Sequence, residues 1–132
     1  MTNRFQAITE DEASELAQRF IAFSDVVDDY RIAHDTTLSP EESQRLYEAS
    51  QSLVISAQEM VTVAVGINLE TSQVAVQELG SIIQSAHETL KTIGDVGKAL
   101  SMVTAVVKLG ETLATGNVAG IAGALVALKK SI

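Results

Sequence analysis

The chain has no cysteine and no tryptophan, a single proline, and only three phenylalanines and two tyrosines. Without cysteine it can build no disulfide scaffold, zinc–thiolate site, cysteine nucleophile or iron–sulfur centre. Bases are scarce as well. Nine Lys and Arg stand against 17 Asp and Glu, a formal charge of -8, so nucleic-acid phosphates are not an expected partner. Residues 1–8 lead into Glu10, Asp11 and Glu12 without an apolar stretch or a small-residue cleavage site. No classical secretion signal is therefore expected; a cytoplasmic location is the default, with the compartment left open.

What is present is apolar matter: 46% of 132 residues, too much for a wholly disordered chain and the right amount for one domain. We read residues 1–132 as a single helical-bundle domain, with residues 1–8 as a flexible arm. The charge is uneven. Residues 1–66 hold twelve acids and four bases, whereas residues 67–132 hold five of each. From residue 98 onward Lys98, Lys108, Lys129 and Lys130 face only Glu111. An acidic first half and a mildly basic, apolar tail can orient helices or partners; the plainer reading is a solvated acidic face.

Helix signals recur along the chain. Thr9 and Glu12 have capping-box spacing, followed by Ala13, Leu16, Ala17, Phe20, Phe23, Val27 and Tyr30 at three- and four-residue steps, one apolar stripe at a period of 3.6. This predicts a helix to about His34. Ser39, Pro40 and Glu42 announce a second start, with Leu46, Leu53, Ala57, Met60, Val61 and Ala64 as its buried stripe and Ser50 interrupting it. Residues 60–65 are rich in β-branched side chains but lack an alternating partner, so they are read as helical. Gly66, Ile67 and Asn68 suit a turn. A third helix is expected from Glu70 or Thr71, with Val76, Leu79, Ile82 or Ile83, Ala86, Leu90 and Ile93 inward; an uninterrupted helix over 40–93 stays open. Asp95 can cap a fourth helix. Thr115, Gly116 and Asn117 read as a glycine C-cap and an asparagine N-cap before a short fifth helix, from Val118 to about Lys130. The fold class is all-α: an up-and-down bundle of four long helices, with a short fifth C-terminal helix as the open variant.

Catalytic or metal chemistry finds little material here. A di-iron bundle needs Glu three residues before His on two helices, but Arg31 and Gln84 precede His34 and His87 at that distance. His87 reads as a boundary histidine, and His34 as a partner for a helix end. Asp25, Asp28, Asp29 and Asp35 form one dense carboxylate group without a glycine-bearing calcium loop, so a solvated helix face is the better reading. No nucleophile elbow, phosphate-binding glycine loop or His-Glu-x-x-His occurs. We expect no enzyme activity, cofactor, metal or small-molecule substrate.

The C-terminal third is unusual. Residues 99–128 carry only Lys108 and Glu111 as charges. Gly116, Gly120 and Ala124, and Gly123 with Ala127, place small residues one turn apart, which lets helices approach closely. Arms of 99–114 and 118–131 would rise about 24 Å and about 21 Å at 1.5 Å per residue, short of a hydrocarbon core of ~30 Å. A hairpin is expected, either buried or inserting shallowly into a membrane. Residues 98–132, an Ala/Val-rich helix, a Gly116-Asn117 turn and a second apolar helix ending in two lysines, resemble helical segments of bacterial α-helical pore-forming toxins of the haemolysin type. That resemblance implies a bundle that hides an apolar hairpin until it meets a membrane. The residues expected to form an interaction face or a membrane hairpin are Val103, Val107, Gly116, Gly120, Ile121, Gly123, Ala124, Leu125 and Leu128. The leading expectation is a non-catalytic protein acting by homo-oligomerisation or with a protein partner. A membrane-active, toxin-like component with a lipid partner is the alternative.

Overall fold

Most helices start where a side chain can satisfy the free N–H groups of the first turn. In the computed structural model, which describes residues 7–67, 69 and 74–132, α1 (Glu10–Ala33) opens on a complete capping box. Thr9 Oγ1 accepts from the Glu12 N–H at 3.2 Å, and Glu12 Oε1 accepts from the Thr9 N–H at 2.9 Å. α2 (Pro40–Val63) repeats the device with Ser39 and Glu42, with Pro40 in the first turn. Asp95 caps α4 (Val96–Thr115) through the Lys98 N–H, and Asn117 caps α5 (Val118–Ser131) through the Gly120 N–H. Between α4 and α5, Gly116 takes a left-handed φ of 71°, which a residue without a Cβ adopts freely.

α3 (Val76–Thr92) is the exception: it corrects one expectation and closes one open alternative. It begins after Ala75, which offers no side-chain cap, rather than near Glu70 or Thr71. The helix is not continuous from residue 40 to 93 either, because Gly66 turns the chain at a φ of 86°. Asn68, the last residue of the expected turn, lies outside the described residues, as do 70–73.

The apolar stripes fall inward as their periodicity requires, with one outlier. Val61, which its hydrophobicity assigns to the α2 stripe, is 44% exposed. Leu53, Ala57, Met60 and Ala64 already hold the core-facing line, and a step of about 100° from Met60 turns Val61 outward. Of the arm expected over residues 1–8, residues 1–6 lie outside the described residues, and Ile8 is packed rather than free, at 1% exposure. Its N–H donates to the Ile67 carbonyl at 2.9 Å, and its carbonyl accepts from the Gly66 N–H at 2.8 Å. Together with buried Ile67, Leu69 and Val74, Ile8 closes the lower end of the bundle.

Helix directions alternate along the chain, but the order around the bundle is not the chain order. α1 packs on α2 and α3, α2 on α1 and α4, and α5 on α4 with a lighter contact to α3. Glu12 shares a cleft with Val76, and Tyr30 shares another with Leu90, so α1 and α3 run parallel. A Cβ built on Gly110 would meet Ser56, and one on Gly116 would meet Val63, so α2 and α4 run parallel too. The centre is close-packed: Gly110 lets α4 sit against Phe20, whose Cε1 would lie 3.3 Å from a Cβ there. Small serines do the same between α1 and α2, where the Ser50 hydroxyl donates to the Ser24 carbonyl at 3.4 Å. Gly80 lies under the Arg19 side chain, which reaches Gln84 on α3 at 3.2 Å.

Candidate interaction surface

α4 and α5 form an antiparallel hairpin whose connection is only Gly116 and Asn117. Its inner face is core. Val103, Ile121, Ala124, Leu125 and Leu128 are buried, and Val107 is half-buried against the same cluster. Sequence reasoning offers these residues as an interaction or membrane face; the structure turns Val103, Ile121, Leu125 and Leu128 into the bundle, where the stripe at 121, 125 and 128 holds α5 to its neighbours, while Ala124 sits at the edge between that core and the outer groove. Gly116 belongs to the turn. Gly120 is half-buried, and a Cβ there would lie 2.7 Å from Asn117 Nδ2 and 3.0 Å from Thr112 Cγ2.

The outer side of the same hairpin is an open groove of about 500 Å³. Ser101, Thr104, Ala105, Lys108 and Thr112 form the α4 wall, and Gly120, Gly123, Ala124 and Ala127 lie along the α5 wall. Only Gly120, Gly123 and Ala124 of the nominated residues line it. The α4 wall was missed, although its signal is in the sequence: small or hydroxylated side chains with one lysine at three- and four-residue steps. Lys108 makes no ion pair among the described residues, whereas Lys129 bonds Glu78 of α3 at 2.7 Å.

A second constellation sits at the upper end. The Tyr30 ring stacks on His34 at 3.9 Å and 20°. His34 caps α1, with Nδ1 2.9 Å from the Tyr30 carbonyl. The Tyr30 hydroxyl is buried without a protein hydrogen-bond partner. Burial raises its pKa above 10.0, and the Asp95 and Glu42 carboxylates add to the shift. Arg31 lies over the Tyr47 ring, 5.5 Å from its centroid, a cation–π geometry. His87 is half-buried beside Glu88, 3.3 Å away. Among the described residues no three His, Asp or Glu side chains converge as a metal site would require. Asp25, Asp28, Asp29 and Asp35 stand along the outer side of α1 and its end.

No helix among the described residues is long and apolar enough to cross a membrane. Compared with family models, curated proteins and solved structures, the chain finds no match in any of the three.

Proposed function

We propose that this chain is a non-catalytic helical-bundle protein that acts by self-association or by binding another protein. The observation that supports this best is the α4/α5 groove, a depression lined by small side chains and running beside two helices at the surface. Such grooves accept a further helix, because small residues bring backbones close. Exposed Ile32, Ile55 and Val126 add apolar surface on three different helices. Sedimentation equilibrium over a wide concentration range tests the self-associating form. A mass above 14.0 kDa that grows with concentration is the expected result; a constant 14.0 kDa species removes that form.

A membrane-active role resembling a haemolysin-type component is the second reading, favoured by a hairpin that between residues 99 and 128 carries only Lys108 and Glu111 as charges. To offer Ile121, Leu125 and Leu128 to lipid, α5 would have to leave α4 and α3. Flotation with neutral and anionic liposomes separates the readings. Flotation with loss of the buffer oligomer favours the membrane; protein left at the bottom with one defined mass favours the protein interface.

A further inference from the structure

We infer that the occupant of the α4/α5 groove is the outer ridge of α1 from a second copy of this chain, with the aspartates of that ridge facing Lys108. This rests on the self-association reading and names its contact. Ile21, Asp25, Asp28 and Ile32 stand at i, i+4, i+7 and i+11, the spacing that keeps side chains on one helical seam. Ile21 and Ile32 are 39% and 66% exposed, and neither aspartate makes an ion pair among the described residues. The ridge is thus apolar at both ends and acidic in the middle.

The groove carries the complementary pattern. Its one charge is Lys108, and the rest of the α4 wall is small or hydroxylated, with Ser101 and Thr112 at its ends. Ile21 to Ile32 and Ser101 to Thr112 are the same span, about 16 Å at 1.5 Å per residue. Laid parallel, Asp28 falls opposite Lys108; laid antiparallel, Asp25 does. Either direction brings opposite charges together, with the isoleucines against the small-residue ends. The two self-paired alternatives do not. Groove against groove opposes Lys108 to its own copy, and ridge against ridge opposes the aspartates, and like charges in an interface are costly. Ridge and groove lie on different helices, so the contact is head-to-tail and builds a ring or an open chain of copies.

Charge reversal in the full chain tests this by sedimentation velocity. Alone, K108E and D25K/D28K should each associate about tenfold or more weakly than the unchanged chain, since each places like charges across the contact. Mixed in equal amounts they should regain association, because the acidic groove of one takes the basic ridge of the other, and the reverse contact pairs as well. G123L should also weaken association while helicity and Tm stay near those of the unchanged chain: a Cβ there meets nothing within 4 Å, and the longer side chain occupies the groove. If the unchanged chain associates and both reversals do so equally well, or if the mixture stays dissociated, this contact is wrong while self-association stands. If the unchanged chain is monomeric throughout, both ideas fall.

Discussion

Tyr30 shows how a single residue can sit at odds with its setting. Its ring fills the upper core at 4% exposure, yet its hydroxyl finds no protein partner. Two helix caps place carboxylates near it, Glu42 from the α2 capping box and Asp95 from the start of α4, and both oppose the phenolate. The folded state therefore holds the Tyr30 proton to higher pH than the unfolded chain. The resulting stability is fully present below the unfolded pKa of about 10 and is lost as pH rises through the higher folded value. Y30F should leave stability at pH 7 unchanged or raise it by up to about 1 kcal/mol, because a buried hydroxyl without a partner is removed and the ring is kept. It should also flatten the decline in urea midpoint above pH 10. A loss of several kcal/mol at pH 7 would show that the hydroxyl is bonded after all. At this scale the sequence was informative where a local rule applied. His34 as a helix-end residue follows from its position; Val61 does not follow from its hydrophobicity, because Met60 and Ala64 take the inward line.

Among the elements, legibility tracked capping chemistry. Thr9 with Glu12, Ser39 with Glu42, Asp95 and Asn117 each marked a helix start within a residue, because a short polar side chain can reach the free N–H groups only from there. The start of α3 is not legible for the same reason: Ala75 has no side-chain atom to accept with, so nothing in the sequence marks it. Its backbone is nevertheless extended, with φ -83° and ψ 145°, as an N-cap requires. A75S should thus stabilise the bundle by roughly 0.5–1 kcal/mol, the usual worth of a cap hydrogen bond, read as a higher midpoint in urea with an unchanged slope. A destabilised variant would mean that the half-buried Ala75 side chain has no room for a hydroxyl.

For the whole molecule, stability should be graded across the bundle. α1 packs on two long helices, whereas α5 leans on α4 and touches α3 lightly, tied at its end by the exposed Lys129–Glu78 pair. Exposed pairs of this kind contribute about 0–1 kcal/mol. Hydrogen exchange should therefore show α5 amides opening at lower free energy than those of α1 and α2. Equal protection throughout would make opening of α5 as costly as global unfolding, and would count against a hairpin released to a membrane.

Periodicity, caps and two turns determined the helices and most of their inward faces, because those are interactions between residues a few positions apart and their geometry is fixed by the backbone. The neighbours of each helix were another matter. The 3.6 period says that Leu79, Ile83 and Leu90 must be covered, but not that α3 packs beside α1 while α4 takes the place beside α2. That choice depends on where Gly110 meets Phe20 and where Ser24 meets Ser50, close approaches between residues distant in sequence. The groove has the same origin. Lys108 and Ala124 are ordinary surface and small residues until the hairpin sets their helices side by side, and only the tertiary structure decides that the inner stripe of α5 is core and its outer side a wall.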